Sequence, residues 1–150
     1  MKVVIQRVKS SKVAVNNKII GQIDYGILVL IGISIDDDKT DAEWISNKVL
    51  NLRIFDDANG IMNKSLIDIK GDILVISQFT LIASTKKGNR PSYINSAGHD
   101  IAIPLYKYFI EICEDKLGRK VSSGEFGADM KVSLINDGPV TIVIDSKAKD

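Results

Sequence analysis

The sequence predicts an α+β fold in one domain spanning 1–150, with largely antiparallel, barrel-like sheet and two helices. Three observations predict it. Runs rich in Val and Ile recur between turn residues from Val3 to Ile35, at Ile73–Phe79 and from Met130 to Ile144. Only two stretches carry apolar residues at helical spacing. Neighbouring strand-like runs are mostly joined by short turns, the pattern of antiparallel sheet.

Val3-Val4-Ile5 followed by Val8 reads as the first strand. Lys12–Asn16 and Lys18–Ile23 read as hairpin arms, because Asn16-Asn17 accepts the positive φ angles of a tight turn. Gly26–Ile35 is nearly continuous and β-branched, as in a strand buried on both faces. The first helix is expected to start near Thr40. Thr40 and Glu43 fit a capping box, and Ala42, Ile45, Val49 and Leu52 recur at helical spacing. Asp57-Ala58-Asn59-Gly60 is a turn between two short extended pieces.

Ile73–Phe79 is a further apolar strand that runs into a polar segment. A second helix places Leu105, Tyr108, Phe109, Ile112 and Cys113 on one face and stops at Gly118. Pro104 belongs in its first turn or just before it, since deeper in it would break the hydrogen-bond ladder. Two strands close the chain: Met130, Val132, Leu134 and Asn136 alternate, and Val140–Ile144 follows Asp137-Gly138-Pro139. Unaided, that last junction reads as a hairpin turn.

At 150 residues with 45% hydrophobic and 26% charged content, the chain is long and apolar enough for a real core. The net charge of +1 argues against coating long duplex nucleic acid, and no DNA partner is expected. It allows a grip on a short single-stranded end. Basic residues gather at Lys86, Lys87 and Arg90, at Lys116, Arg119 and Lys120, and at Lys147 and Lys149. The apolar run Ile27–Ile33 is too short to span a bilayer, so no membrane partner is expected. A single cysteine, Cys113, fits a reducing compartment, and the location expected is cytoplasmic.

Familiar hydrolase machinery is missing from the sequence. There is no G-x-S-x-G elbow, no phosphate-binding glycine loop and no H-E-x-x-H. The one histidine, His99, sits between Gly98 and Asp100 and reads as a surface residue. One His and one Cys do not make a zinc set, so neither metal nor cofactor is expected. Cys113 lies on an apolar helix face and reads as a buried structural thiol.

Two segments hold polar groups where a structural strand would not put them. Ser77-Gln78-Phe79-Thr80-Leu81 closes an apolar strand, and a strand end leaves backbone N–H groups that can stabilise a developing oxyanion. An ordinary polar strand end is the bland alternative. Asn136-Asp137-Gly138-Pro139-Val140-Thr141 is the second, and a plain turn is its alternative.

Together these segments resemble the D-aminoacyl-tRNA deacylase family, matching its S-Q-F-T-L and N-x-G-P-V-T motifs. The likeness extends in order through Ile5-Gln6-Arg7-Val8, Leu52-Arg53-Ile54-Phe55, Met62-Asn63, Gly88-Asn89-Arg90-Pro91-Ser92 and Phe126-Gly127-Ala128-Asp129-Met130. It covers nearly the whole chain and departs only in loops and in the tail 146–150.

The resemblance implies a homodimer with active sites at the subunit interface. In it Ser77–Leu81 of one subunit faces a cis Gly138–Pro139 of the other, whose carbonyls act as a chirality filter. It implies hydrolysis of the ester between a D-amino acid and the 3′-terminal adenosine of tRNA, with glycyl esters also cut. Catalytic expectations are Ser77, Gln78, Phe79 and Thr80, with oxyanion donors near Phe79 and Thr80. Gly138, Pro139, Arg7 and Met130 are expected to hold or select the substrate, Arg7 by fixing the Gly138–Pro139 loop through its guanidinium, with a surface ion pair as its alternative. Thr80 remains an alternative nucleophile. A small-molecule esterase using Ser77 or Thr80, and a non-catalytic module that binds an RNA end, are the rival functions.

Overall fold

The computed structural model describes residues 1–149; Asp150, the end of the divergent tail, lies outside them. Strand β1 (Lys2–Val15) is one long strand that absorbs both the first strand and the first hairpin arm. It turns through Asn16 and Asn17, at φ 50° and 63°, into β2 (Lys18–Ile23), which pairs with its second half. β3 (Gly26–Gly32) pairs antiparallel with its first half. The expected hairpin is present.

Helix α1 (Lys39–Asn51) follows, and its cap corrects the sequence expectation. Asp38, not Thr40, is the N-cap: its Oδ1 accepts from the Thr40 N–H at 2.8 Å and the Asp41 N–H at 3.3 Å. Asp41 returns the favour by accepting from the Asp38 N–H at 2.9 Å. Two overlapping pairs, Asp38–Asp41 and Thr40–Glu43, fit the box pattern, and the earlier one has its Asp41 tied down from the other side as well. There Lys147 Nζ donates to Asp41 Oδ2 at 2.9 Å.

Two short strands, β4 (Phe55–Asp56) and β5 (Met62–Lys64), flank the expected turn. The four-residue helix α2 (Leu66–Ile69) was not foreseen and raises the α-helices among the described residues to three. Four residues show no periodicity; only the reciprocal Ser65–Asp68 cap marks it.

β6 (Asp72–Ser77) pairs with β3 in parallel, and β7 (Ser122–Ser123) pairs with β6 in parallel. The sheet is therefore largely but not wholly antiparallel, because β3–β6 and β6–β7 pair in parallel. Parallel neighbours need long crossovers, which α1 and α3 (His99–Leu117) supply. Helix α3 begins earlier than its apolar spacing indicated, so Pro104 sits inside it. The ring removes one backbone bond near an exposed helix start, where the Asp100 carbonyl can meet water. Gly118 ends the helix at φ 69°, as expected.

The chain closes with β8 (Lys131–Asp145), a single strand rather than two joined by a hairpin. It pairs antiparallel with both halves of β1, and the register slips opposite Arg7 absorb the Asp137–Pro139 segment. β7 approaches β2, where Ser122 Oγ donates to the Gln22 carbonyl at 3.2 Å, so the sheet nearly closes on itself.

Both faces of β3 and β6 are buried, which accounts for their unbroken apolar sequences. Ile27, Val29, Ile31, Ile73 and Val75 pack beneath α1 and α3, with Ile45, Val49, Phe109 and Cys113. Leu28, Leu74 and Ile76 point the other way, into the barrel, against Val8, Val13 and Ile23. Each such fully buried side chain contributes about 1.5–3 kcal/mol. No helix of the described residues is long and apolar enough to cross a membrane.

Candidate active site

Strand β6 stops at Ser77, two residues sooner than the sequence indicated. The Gln78 N–H still donates to the Ile31 carbonyl at 2.7 Å, and then the chain winds into a 3₁₀ turn, Phe79–Ile82. The Gln78 side-chain amide donates to Thr80 Oγ1, joining the two polar side chains across the start of the turn.

A 3₁₀ turn leaves its first N–H groups without internal acceptors. Leu81 is the first to find one, donating to the Gln78 carbonyl at 3.2 Å. The Phe79 and Thr80 N–H groups therefore have no acceptor among the described residues. Phe79 is 55% exposed, and its ring meets the edge of Tyr93 at 5.0 Å.

Beside this turn lies a cavity of about 620 Å³. Ser77, Gln78 and Phe79 form one wall, and Phe126, Met130 and His99 form another. The Phe126 ring is braced edge-on by His99 and Tyr106, each 5.6 Å away. Tyr106 is itself pinned, its hydroxyl donating to the Val75 carbonyl at 3.0 Å. Burial pushes that hydroxyl up to about 12, so it stays a neutral donor. Burial likewise pushes the Cys113 thiol up to about 12, which makes it a core residue and not a nucleophile.

Arg7, Gly138 and Pro139 meet in a second place. Arg7 is buried, and its Nη1 donates to the Ile54 carbonyl at 2.6 Å. Its Nε donates to the Asp137 carbonyl at 3.0 Å, directly before Gly138. Asp137 and Asp56 carboxylates, each 3.5 Å away, balance its charge. The Gly138–Pro139 peptide is cis, and Gly138 sits at φ 129°. No residue of 133–145 lines the cavity. One chain thus brings Ser77, Gln78, Phe79 and Met130 together, with Thr80 alongside, and keeps Arg7, Gly138 and Pro139 apart from them.

The sequence profile of the D-Tyr-tRNA(Tyr) deacylase family matches residues 4–145, embracing both places. The chain belongs to that family. It is accordingly an enzyme, a hydrolase of the carboxylic-ester type. Relatives named D-aminoacyl-tRNA deacylase include one from Flavobacterium psychrophilum, 59% identical over 150 residues with both chains fully covered. Another, from Phocaeicola vulgatus, is 55% identical, again with both chains fully covered.

Among solved structures, one named c-Myc DNA Unwinding Element Binding Protein superposes with a TM-score of 0.94 at 40% identity. It covers 99% of this chain and 100% of that one. A second, titled as a probable eukaryotic D-amino acid tRNA deacylase, has a TM-score of 0.83 at 20% identity and covers 95% of this chain and 97% of its own. At that identity the likeness shows the fold alone.

For this deacylase-family chain, sequence reasoning missed much of the cavity lining, the rings of Phe126 and His99 included. Phe126 was visible only as part of a matching stretch, and its ring could have been weighed as an apolar wall. Nothing local marks His99, which read as a bystander on the surface. It is exposed, but the path of α3 carries it to the rim of the cavity.

Proposed function

We propose that the chain hydrolyses the ester between a D-amino acid and the 3′-terminal adenosine of tRNA, in the service of translation quality control. The observation that carries this reading is the pair of unpartnered N–H groups, Phe79 and Thr80, at the mouth of an apolar cavity. An aminoacyl ester is already activated, so placement and oxyanion stabilisation suffice. Water attacks the carbonyl carbon, the carbonyl oxygen takes up the charge and is met by the two N–H groups, and the tetrahedral intermediate expels the ribose oxygen. The neighbouring 2′-OH orients the water and passes the proton to the leaving oxygen. Gln78 keeps the turn in shape through its bond to Thr80 Oγ1. Phe126 and Met130 supply apolar contact for the terminal nucleoside.

Selection against L-residues is assigned to the main chain at Gly138–Pro139 of a second copy. Two observations support a shared site. The cavity takes no lining from that segment of its own chain. Strand β8 pairs only with β1 among the described residues, which leaves a long edge with Ile135 and Val143 exposed. A filter of backbone atoms rejects by collision at the α-carbon, whatever the side chain. Glycine offers nothing to collide, so glycyl-tRNA is also cleaved.

The deciding experiment is incubation with D-Tyr-tRNA and L-Tyr-tRNA side by side. Cleavage of the D-ester alone is expected; equal cleavage of both, or of neither, rules the proposal out.

A further inference from the structure

A second cavity, of about 590 Å³, lies directly behind the 3₁₀ turn. Lys2, Ser34, Thr85, Lys86, Asn95 and Lys147 face it. It shares its walls with the active cavity. In the bridge between Ser34 and Ser96, Ser96 faces the active cavity and Ser34 the second one. In the 3₁₀ turn, Phe79 faces the first and Ile82 the second. One bridge and one turn of chain separate the two.

The charge in this cavity is unevenly committed. Lys147 is held by Asp41 at 2.9 Å, and Lys2 leans on Asp145 at 3.5 Å. Lys86 stands on a loop closed by paired Ser84–Ser92 backbone bonds of 2.8 and 2.9 Å, together with Lys87 and Arg90. None of these three makes an ion pair among the described residues. Free cationic charge is therefore concentrated at Lys86, while Ser34, Thr85 and Asn95 offer neutral donors. Two lining carboxylates, Asp36 and Asp145, keep the net charge small. That balance suits a singly charged phosphodiester better than a free phosphate dianion.

We propose that this cavity binds the phosphodiester backbone of the RNA strand leading to the terminal adenosine, with Lys86 as its principal contact. The proposal rests on the aminoacyl-tRNA reading above and adds where the strand enters. It also reconciles a near-neutral chain with a nucleic-acid substrate: a single-stranded end needs only a few phosphate contacts, locally placed.

The test compares Lys86→Glu with the unaltered protein on two substrates, D-Tyr-tRNA and 3′-D-tyrosyl adenosine, which has no phosphate. On D-Tyr-tRNA, kcat/KM is expected to fall about tenfold, carried by KM, while the nucleoside ester is hydrolysed as before. Raising salt from about 50 to about 200 mM costs the unaltered protein roughly 2.5-fold more than the variant, the share of one single-strand phosphate contact. Unchanged kinetics on D-Tyr-tRNA, an equal loss on both substrates, or a changed oligomeric state by sedimentation overturns the phosphate site. Should the unaltered protein cleave neither substrate, the deacylase reading itself falls, and this proposal with it.

Discussion

Arg7 Nε donates to the main-chain carbonyl of Asp137 across 3.0 Å, tying the first strand to the residue just before Gly138. The same guanidinium reaches the Ile54 carbonyl, so one buried side chain fixes the Gly138–Pro139 segment against two other parts of the fold. Replacing it strands two carbonyls and two carboxylates. Arg7→Met is expected to cost about 2–4 kcal/mol of stability in urea unfolding. Arg7→Lys should recover little, because an ammonium cannot span both carbonyls as the planar fork does. Wild-type stability in Arg7→Lys would dismiss this account.

Gly138 occupies φ 129°, a region that side chains of L-residues rarely enter. A Cβ there would stand 3.0 Å from Val140 Cγ2 and 3.2 Å from Arg7 Nη2. Gly138→Ala is therefore expected to lose about 1–3 kcal/mol and to disturb the segment assigned to chiral selection. Kinetics on D-Tyr-tRNA should show at least a tenfold loss of kcat/KM, and intact activity with intact D/L discrimination would tell against that assignment.

Thr80 separates the two mechanisms. If backbone N–H groups and the 2′-OH carry the reaction, Thr80→Ala keeps kcat within about tenfold, the loss reflecting the missing partner for Gln78. A nucleophile's removal costs on the order of 10⁴ or more in kcat. Single-turnover rates on D-Tyr-tRNA decide between them.

Asp37 and the Met1 ammonium form an ion pair of 2.5 Å in which both side chains are wholly buried. Asp37→Asn leaves that ammonium uncompensated, and a loss of about 3–5 kcal/mol is expected. A chemical denaturation midpoint unmoved by the substitution would show the pair to be idle.

Asp41 makes stability depend on acid. Burial works to raise its carboxyl, but bonds from Ser146, Lys147 and the Asp38 N–H outweigh it and hold it down at about 2. A carboxylate lowered on folding stabilises the native state above its unfolded value of about 3.9, and that contribution drains away as pH falls toward about 2. The protein should therefore lose stability between these limits, and Asp41→Asn should be weaker at neutral pH but flatter across the same range. Parallel pH profiles for the two proteins would contradict the assignment.

Much of the site was legible because its residues are neighbours in sequence. Ser77–Thr80 and Gly138–Pro139 announce themselves as polar or rigid interruptions of apolar strands. Their setting was not legible. The 131–145 stretch read as a hairpin because Asp-Gly-Pro is good turn material, yet pairing with β1 along its whole length outweighs that local preference. His99 shows the same limit, since only the path of α3 sets it beside Phe126 at 5.6 Å.

By itself the sequence determined much of which residues lie on which face: the double-sided burial of β3, the Asn16-Asn17 turn, the apolar stripe of α1 and the stop at Gly118, while on α3 it named Leu105, Phe109 and Cys113 but took Tyr108 for the buried Tyr106. These follow from periodicity and backbone preference, which act within a few residues. Tertiary structure alone decided which strands pair in parallel, which residue caps α1, and that Arg7, expected to fix the Gly138–Pro139 loop, does so from a buried position through the Asp137 and Ile54 carbonyls. Such choices compare competing partners brought together by closure of the sheet, and no local pattern records who those partners are.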